Sequence, residues 1–347
     1  MNMNPNTTTE PSRGPAPVET ILNLALGYLL SRSLHVATEL GIADLLAAGP
    51  MSPEEIAVRT ATHRPSLHRL LRTLAGHGVF AEEADGRFSN TPAAALLRQG
   101  VMRDGVLLCG EVTGDGSWWN AVGALRQSIA TGEPAFERQH GRGFFNYLQN
   151  HPACREWFDR GMANFAAAEN PAIAAALDYG RFAHLVDVGG GQGGLLAEIF
   201  RRHPRVSGTL FDLPDVVRQP APLHDAAFAG RWAAAGGDFF QAVPPGADAY
   251  LLKRILHDWD DEHCGCILRN CRTAMGPQAR LLAMDVVLPA GNAPHPGKVM
   301  DILMMVFARG RERTEEEFRA LFAKAGLKLL NVTPTQSALS IIEAGIG

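Results

Sequence analysis

A histidine, a carboxylate and an indole stand side by side in the segment LLKRILHDWDDE, residues 251–262, directly after an apolar run. A neutral imidazole has an ordinary pKa of about 6.5, so His257 is a candidate general base. Two other interpretations are open from the segment alone: His257 as a metal ligand, or a polar helix start. The acidic tail from Asp260 to Glu262 is more typical of a helix start than of metal ligands, because carboxylates there favour the helix dipole.

A glycine-rich turn supplies the second chemical signal. It lies in HLVDVGGGQGGLLAEIFRRHP, between a short apolar strand and an amphipathic helix. Glycines let a ligand approach the backbone, and the helix N-terminus behind them favours polar or anionic groups. Gly189, Gly191 and Gly194 fit a dinucleotide fingerprint, whereas Asp187 with Gly189, Gly191 and Gly193 fits the first motif of S-adenosylmethionine methyltransferases. The loop alone leaves both cofactors open.

The strands that follow indicate where a nucleotide would lie. The segment SGTLFDLP predicts a second strand ending at Asp212, whose carboxylate is placed to accept hydrogen bonds from ribose hydroxyls. The segment RWAAAGGDFF brings Asp238 and Phe239 to the end of a third strand, as a carboxylate for an exocyclic amine and an aromatic ring for adenine. Because ligands of open α/β sheets sit at the carboxyl ends of strands, we expect His257, after the fourth strand, to face the same site.

The N-terminal part has the pattern of a winged helix. Apolar residues from Ile21 to Ala48 recur at helical spacing, and Gly41 suits a helix end. Ser52 and Glu55 have the spacing of a capping box around a proline. A second short helix follows, and two strands flank the turn Asp85-Gly86. Helix, turn, helix and hairpin in this order are the outline of a winged helix.

Such a module either reads DNA or pairs protein chains. The predicted second helix has a few cations on its polar face: His68, Arg69 and Arg72. A recognition helix in a major groove is one interpretation. The hairpin carries acidic side chains that disfavour it: Glu82, Glu83 and Asp85. The helix over residues 21–40 is apolar enough to need a partner, so we expect a homodimer and no nucleic acid.

The interval between this module and the glycine turn is mostly helical in pattern and rich in aromatic residues. Aromatic crowding is more typical of a core than of a site. Phe158, Met162 and Phe165, however, stand at i, i+4 and i+7, so they share one helix face. This face either belongs to the core or lines a substrate pocket.

Composition narrows the class of protein. The 347 residues are 46% hydrophobic and 20% charged, values of a globular protein, and the net charge of -4 gives no field that would attract nucleic acid or an anionic membrane. Five scattered cysteines predict no disulfide framework and favour the cytoplasm. Cys264 and Cys266 are two apart and would diverge on a helix, so we expect no metal site there.

The chain begins with a polar, proline-rich segment, residues 1–20, that predicts a disordered leader. It lacks the charged start and apolar stretch of a signal peptide. The longest early apolar run, Ile21 to Leu30, is about half of what spans a bilayer, so we expect no membrane association.

Five motifs in order, DVGGGQGG, FDLP, GGDFF, LLKRILHDWDDE and FARGRERTEEEF, carry a family resemblance. The chain resembles the small-molecule O-methyltransferases that include plant caffeic acid methyltransferases and bacterial enzymes tailoring anthracyclines, mitomycins and phenazines. The resemblance implies an α/β fold: a C-terminal Rossmann-like methyltransferase domain with a mostly parallel sheet and a terminal antiparallel hairpin, plus an N-terminal winged-helix dimerisation domain. We assign the dimerisation domain to residues 21–100, a helical linker and substrate-pocket region to 101–180, and the cofactor-binding catalytic domain to 181–347.

The resemblance also implies the catalytic residues. His257 matches the histidine that deprotonates the acceptor hydroxyl. Asp258, its immediate neighbour, is expected to point elsewhere. The orienting partners implied are Asp285, where plant relatives carry glutamate, and Glu312, which matches them. Asp285 is one methylene shorter than that pattern, so its contact with His257 is the weaker of the two expectations.

S-adenosyl-L-methionine is the cofactor that the resemblance implies, and an aromatic small molecule is the substrate. The residues placed around the cofactor are Asp187, Gly189, Gly191, Asp212, Leu213, Gly237, Asp238, Phe239 and Lys253, together with Arg254, which stands where plant enzymes carry tryptophan and receives no specific contact. The residues placed around the substrate are Phe158, Met162, Phe165, Trp259 and Met304. Methionines make such a pocket adaptable.

Besides methylation of an aromatic hydroxyl, the sequence leaves three other functions open. An NAD(P)-dependent oxidoreductase shares the glycine pattern, but no Tyr-x-x-x-Lys pair accompanies it. A winged-helix regulator would need DNA binding. Relatives with the same fold and cofactor catalyse hydroxylation or decarboxylation. The residues do not name the acceptor, and N-methylation and ester formation stay open.

Overall fold

The computed structural model describes residues 16–110, 117–218 and 220–347. The chain divides into two compact units, one ending at Val106 and the other beginning at Leu107. Most of the predicted leader, residues 1–15, lies outside the described residues. Its last four residues, 17–20, are helical and not disordered, because Pro17 suits the first helical position and Glu19 favours the helix dipole.

The helices of the described residues are α1 (Pro17–Glu39), α2 (Ile42–Leu45), α3 (Pro53–Thr60), α4 (Arg64–Ala75), α5 (Pro92–Ala95), α6 (Arg103–Leu108), α7 (Ser117–Gly123), α8 (Leu125–Thr131), α9 (Ala135–His140), α10 (Phe144–Asn150), α11 (Pro152–Ala176), α12 (Gly194–Arg202), α13 (Asp261–Ala274), α14 (Pro296–Phe307) and α15 (Glu315–Lys324). The strands are β1 (Phe80–Glu82), β2 (Phe88–Asn90), β3 (His184–Val188), β4 (Ser207–Asp212), β5 (Trp232–Gly236), β6 (Ala249–Lys253), β7 (Arg280–Asp285), β8 (Val287–Leu288), β9 (Arg313–Thr314), β10 (Leu327–Pro334) and β11 (Ser340–Ile346).

In the first unit the predicted helix-turn-helix-hairpin order is present. The Ser52 side chain accepts a hydrogen bond from the Glu55 backbone N–H, and the Glu55 carboxylate accepts one from the Ser52 backbone N–H at 2.8 Å. The capping box that begins α3 is thus formed. Leu67, Leu71 and Leu74 of α4 are buried together in the core of this unit. Strands β1 and β2 pair antiparallel across the predicted turn.

Helix α1 is the exception to this packing. It carries exposed apolar side chains over most of its length: Val18, Ile21, Leu22, Leu24, Leu26, Tyr28 and Leu29. Exposed apolar stripes of this kind mark protein contact surfaces.

The second unit is built on a seven-stranded sheet in the order β10-β11-β7-β6-β3-β4-β5. The strands from β7 to β5 are parallel to their neighbours, whereas β11 joins β7 antiparallel and forms a terminal hairpin with β10. Successive residues of β6 alternate between two hydrophobic cores, with Tyr250 and Leu252 in one and Ala249 and Leu251 in the other. Apolar runs in the sequence therefore form strands buried on both faces, and the predicted α/β class is confirmed.

The carboxyl ends of the parallel strands meet at one edge of the sheet. The residues at those ends are Val188, Asp212, Gly236, Lys253 and Asp285. A short parallel pair, β8 with β9, aligns Val287 with Arg313 just beyond this edge. This pairing brings the residue before β9, Glu312, into the same neighbourhood as Asp285.

Candidate active site

His257 lies in the turn that follows β6. A 3-10 turn over Leu256–Asp258 comes shortly after the strand ends. The Asp260 side chain then accepts a hydrogen bond from the backbone N–H of His263 at 2.9 Å and begins α13. The acidic tail is thus a helix start, as its composition indicates. We call residues 254–259 the catalytic turn, after the role that the sequence predicts for His257.

The His257 ring is buried, with 7% of the residue exposed, and its Nδ1 lies 2.9 Å from Glu312 Oε1. With a carboxylate as acceptor, Nδ1 carries the proton, and the neutral ring keeps its lone pair on Nε2. Nε2 lies 3.5 Å from Asp258 Oδ1, within ion-pair distance of a protonated ring. The expectation that Asp258 points elsewhere is wrong. That rule describes the faces of a regular helix, whereas Leu256–Asp258 is a single turn with extended backbone at Trp259, so helical spacing does not fix where its side chains meet.

Asp285 is fully buried at the end of β7. Within the described part of the chain, neither of its carboxyl oxygens has a hydrogen-bond partner, so the expected bond to His257 is not formed. An aspartate side chain is one methylene shorter than a glutamate, the reason for which this contact was the weaker expectation. Burial raises the pKa of Asp285 to about 7, although the charge of His257 opposes this shift.

The three carboxyl groups decide the charge of the imidazole. Burial lowers the pKa of His257, but the charge of Asp258, the hydrogen bond to Glu312 and the charge of Asp285 together raise it to about 9. The surroundings of the ring therefore favour the imidazolium, the form that the ring takes after accepting a proton.

Glu312 is held in place through its backbone. It is 2% exposed, and its N–H donates to Asp301 Oδ1 of α14 at 2.9 Å. The next residue, Arg313, begins β9. The carboxylate that orients His257 is thus fixed by a helix on one side and a strand pair on the other.

The glycine loop between β3 and α12 has no room for a side chain at its first two glycines. Gly189 takes a left-handed φ of 69°, and a β-carbon there would lie 2.5 Å from Ile255 Cδ1 of the catalytic turn. At Gly190 a β-carbon would lie 2.6 Å from the Asp187 carboxyl group. Glycine is therefore required at Gly189 by both conformation and space and at Gly190 by space. The loop leads directly into the N-terminus of α12.

Asp187 lies beneath this loop, 1% exposed. Its Oδ2 has no hydrogen-bond partner among the residues described. Burial raises its pKa to about 7, and the charge of Lys253 opposes the shift. A buried carboxyl oxygen without a partner is costly, and it marks a place where a donor group of a ligand would fit.

Asp212 ties the glycine loop to the end of β4. Its Oδ2 accepts from the Gly191 N–H at 2.9 Å, and its Oδ1 accepts from the Leu213 N–H at 2.7 Å. Burial raises the pKa of this carboxyl group, while the two backbone hydrogen bonds lower it. Each carboxylate oxygen has a further lone pair, so ribose hydroxyls remain compatible with these bonds.

The turn after β5 brings an aromatic ring to the loop. The Gly237 N–H donates to the Asp212 carbonyl at 2.9 Å, and Asp238 Oδ1 accepts from the backbone of the same turn. The Phe239 ring lies 3.5 Å from the position of a β-carbon on Gly189 and packs edge-on against Trp259, with centroids 6.3 Å apart. The predicted adenine residues therefore adjoin both the glycine loop and the catalytic turn.

A buried ionic clamp joins α11 to the catalytic turn. The Glu169 carboxylate accepts from Arg254 Nε at 3.1 Å, and Lys253 Nζ lies 3.2 Å from Glu169 Oε2. Burial lowers the pKa of Lys253, and the charge of Glu169 opposes this. Arg254, one of the predicted cofactor residues, takes a left-handed φ of 53°, and its guanidinium is engaged by Glu169.

The predicted substrate residues lie on α11, α14 and the catalytic turn. Trp259 stacks on Phe145 with centroids 5.6 Å apart, and Phe145 also contacts Phe158 edge-on at 6.4 Å. Phe158 packs against an aromatic core cluster as well. The remaining members are half-buried: Met162, Phe165 and Met304. An aromatic wall thus runs from Phe158 to the indole beside His257.

The described residues contain no group of three or more His, Cys, Asp or Glu side chains arranged to hold a metal ion. None of the helices that the structure describes combines the length and the apolar character needed to cross a membrane.

The residues at the sheet edge fit S-adenosylmethionine. The glycine loop is a cradle that a β-carbon would fill, and the Asp187 oxygen beneath it lacks a partner in the described chain. Asp212, Asp238 and Phe239 follow on the neighbouring strand ends, where a ribose and an adenine would lie.

Comparison with known proteins agrees with this geometry. Residues 122–328 match the O-methyltransferase domain family, and residues 22–100 match the O-methyltransferase dimerisation domain. The chain is 42% identical over 342 residues to phenazine O-methyltransferase PhzM of Lysobacter antibioticus, covering 97% of this chain and 99% of the relative. It is 36% identical over 326 residues to the mitomycin biosynthesis 6-O-methyltransferase of Streptomyces lavendulae, covering 92% and 91%.

Among solved structures, CalO1, a methyltransferase in calicheamicin biosynthesis in its SAH-bound form, superposes with a TM-score of 0.86 at 36% identity and covers 96% of this chain and 100% of that one. The two family matches together span most of the chain, and the relatives cover it almost end to end. The resemblance read from the five motifs is thereby confirmed: the chain belongs to the S-adenosylmethionine-dependent O-methyltransferase family.

Proposed function

We propose that this enzyme methylates a hydroxyl group of an aromatic secondary metabolite and that His257 is its general base. The observation that carries the proposal is the buried contact of His257 Nδ1 with Glu312 Oε1 at 2.9 Å. This contact lies at the strand edge that also carries the glycine loop, and Ile255 of the same turn adjoins Gly189. Base and cofactor loop are therefore neighbours.

S-adenosylmethionine supplies an electrophilic methyl group, so the protein has to provide a nucleophilic oxygen. A phenol has an ordinary pKa near 10 and is a weak nucleophile while protonated. His257 Nε2 accepts the phenolic proton as the oxygen attacks. In the neutral ring, which is the form that acts as a base, Glu312 keeps the proton on Nδ1 and leaves the lone pair on Nε2.

The imidazolium that results is stabilised by carboxylates. Asp258 Oδ1 lies 3.5 Å from Nε2, and Glu312 contacts the opposite nitrogen. Asp285, without a hydrogen bond in the described chain, adds negative charge when it is ionised. We assign Glu312 the orienting role and Asp285 a purely electrostatic one.

We assign the cofactor contacts by position. The glycine loop with Asp187, Gly189 and Gly191 holds the methionine end, Asp212 with Leu213 the ribose, and Gly237, Asp238 and Phe239 the adenine. Lys253 and Arg254 support this site through their pairing with Glu169.

The acceptor is proposed to be a flat aromatic molecule. Its wall consists of Phe158, Met162, Phe165, Trp259 and Met304. Aromatic side chains suit a planar ring, and half-buried methionines adapt to its outline. The named relatives act on a phenazine and in mitomycin biosynthesis, which favours a fused-ring acceptor here.

We propose a homodimer built through residues 21–100. The exposed apolar side chains of α1 support this assignment, as does the match to the dimerisation domain. Residues 101–180 would then supply the acceptor wall and residues 181–347 the cofactor site. A sedimentation mass of one chain at micromolar concentration would contradict the dimer.

We also propose that the enzyme works in the cytoplasm without binding nucleic acid. All five cysteines lie in the described part of the chain, and none forms a disulfide. His68 of α4, one of the few cations that DNA recognition would use, lies 3.7 Å from Glu82 within the same unit. Retention on DNA that weakens with salt would contradict the second statement.

The function is tested first by calorimetric titration with S-adenosylhomocysteine, NADH and NADPH. We expect micromolar binding of the thioether and none of the nicotinamide nucleotides. Incubation with S-adenosylmethionine and a panel of phenazine, quinone and naphthol hydroxyls, followed by mass spectrometry, should then show gain of a methyl group. Gain of an oxygen or loss of carbon dioxide would contradict methylation, and nucleotide binding would contradict the cofactor.

A further inference from the structure

We propose that Arg313 is a positioning residue: its buried guanidinium holds both ends of the turn that carries His257 and so fixes the imidazole against Glu312. This inference rests on the proposed function only where it predicts an effect of Arg313 on catalysis by His257. The geometric claim concerns the protein itself and can be tested without turnover.

Arg313 is 0% exposed, the largest side chain among the fully buried ones in the described chain. A buried guanidinium is costly unless its N–H groups have partners. Here the partners are backbone carbonyls of the catalytic turn. Nη1 donates to the Leu256 carbonyl at 2.7 Å, and Nη2 donates to the Trp259 carbonyl at 3.0 Å.

These two carbonyls bracket His257 and Asp258 in the sequence. A residue that bonds to both fixes the length and direction of the short segment between them. The planar fork of arginine can bond to two acceptors at once, whereas a lysine ammonium is a compact point charge. The shape of the side chain, and not its charge alone, is therefore needed for this contact.

The guanidinium is itself anchored outside the turn. Asp261 Oδ1, in the first turn of α13, accepts from Nη2 at 2.8 Å and from Nε at 3.2 Å. Asp261 is half-exposed and also pairs with Arg311 at 2.9 Å. Arg311 makes no hydrogen bond to the carbonyls of Leu256 or Trp259 in the described contacts, which makes it a matched control.

Arg313 is also the residue next to Glu312. One short segment of chain therefore contacts both the ring of His257, through Glu312, and the backbone of the catalytic turn, through Arg313. Gly310 adds to this fit, since a β-carbon there would overlap the His257 carbonyl oxygen. Loss of the fork would let the ring move relative to the Glu312 carboxylate.

The test compares Arg313→Lys with Arg311→Lys. Both changes keep the positive charge, and only the first removes the two-carbonyl fork. The His257 titration is followed by NMR in protein labelled with carbon-13 at histidine Cε1. The charged groups that act on the ring, namely Asp258, Asp285 and Glu312, are unchanged in both variants. Arg254, whose charge acts on those carboxyl groups, is unchanged as well.

We expect the pKa of His257 to fall toward its ordinary value in Arg313→Lys and to stay at the wild-type value in Arg311→Lys. With an acceptor in hand, kcat should fall by about 10- to 100-fold in Arg313→Lys, with KM and S-adenosylhomocysteine affinity within about threefold. An unchanged His257 titration in folded Arg313→Lys, or an equal change in Arg311→Lys, would overturn the proposal. If no acceptor is methylated, the proposed function fails, while the titration still decides the role of Arg313.

Should Arg313→Lys not fold, Asp261→Asn provides the second variant. It leaves Arg313 in place but weakens its anchor. We expect the same direction of change in the His257 titration, with a smaller size. A wild-type titration in this folded variant would count against the proposal.

Discussion

Glu312 Oε1 lies 2.9 Å from His257 Nδ1, although 55 residues separate them in the chain. The contact is formed between two almost completely buried side chains, one in the turn that follows β6 and one directly before β9. It decides which nitrogen of the ring is available to an acceptor molecule, and the chemistry proposed for this site depends on that choice.

Replacing Glu312 by glutamine should remove a negative charge from beside the His257 ring. Glu312→Gln keeps the shape of the side chain but removes one of the charges that raise the pKa of His257. We expect the pKa to fall and kcat to drop by about 10- to 100-fold, with little change in S-adenosylhomocysteine affinity. Glu316→Gln, at a side chain 82% exposed, is the control. Full activity in Glu312→Gln would remove the orienting role.

The pH dependence of the reaction follows from the same groups. The base acts in its neutral form, and the pKa of His257 is raised to about 9 in the protein. The rate should therefore rise with pH as the ring loses its proton. The positive sulfonium of the cofactor disfavours a second positive charge nearby and should bring the midpoint below that value. A rate that falls between pH 6 and pH 9 would contradict a base of this kind.

Asp285 gives a distinct pH signature in folding. Its pKa is raised from 3.8 to about 7, so between those values the folded state binds its proton more tightly than the unfolded state. The stability that this proton contributes is present below pH 4 and is lost as the pH rises toward 7. We expect Asp285→Asn to remove that loss, so the urea stability of the variant should improve relative to wild type from pH 5 to pH 8. A difference independent of pH would show that Asp285 does not titrate there.

Two glycines of the loop should differ in their tolerance of alanine. At Gly189 a β-carbon would meet Ile255 at 2.5 Å, whereas at Gly191 nothing lies within 4 Å. Both have positive φ, so both variants bear the left-handed cost of about 1 kcal/mol. We expect Gly189→Ala to weaken S-adenosylhomocysteine binding at least about tenfold more than Gly191→Ala. Equal losses in calorimetry would mean that conformation alone matters.

The ionic clamp should make a measurable contribution to stability. Glu169→Gln leaves two half-buried cations, Lys253 and Arg254, without their buried carboxylate. Breaking such a pair costs about 3 kcal/mol, so the free energy of unfolding in urea should fall by about that amount. Glu156→Gln, at a side chain 71% exposed on the same helix, should change it by less than about 0.5 kcal/mol. Similar values in both variants would contradict the clamp.

The sequence predicts those parts of the site that repeat local patterns. The apolar run before Asp212 forms a strand that ends at that residue, and the acidic run from Asp260 begins α13. The next strand ends at Gly236, two residues before Asp238. These features depend on neighbouring residues, and so does the capping box at Ser52.

Long-range partners were beyond such patterns. Glu169 is one acid in an alanine-rich helix, and its partner Arg254 lies 85 residues away. Arg313 stands among other charges in GRERT, and only its burial against Leu256, 57 residues away, separates it from them. The contact of Asp258 with His257 lies in a single turn, and the helical spacing rule does not apply to a segment that short. Whether a single charged side chain is buried depends on contacts with residues that are distant in the sequence.

The most direct test of the central claim is turnover by His257→Asn with S-adenosylmethionine and an acceptor methylated by the wild type. Asparagine keeps a polar side chain of similar reach but cannot take up the proton. We predict that kcat falls by at least about a hundredfold while S-adenosylhomocysteine affinity stays within about threefold. A variant that keeps most of its activity would contradict His257 as the general base.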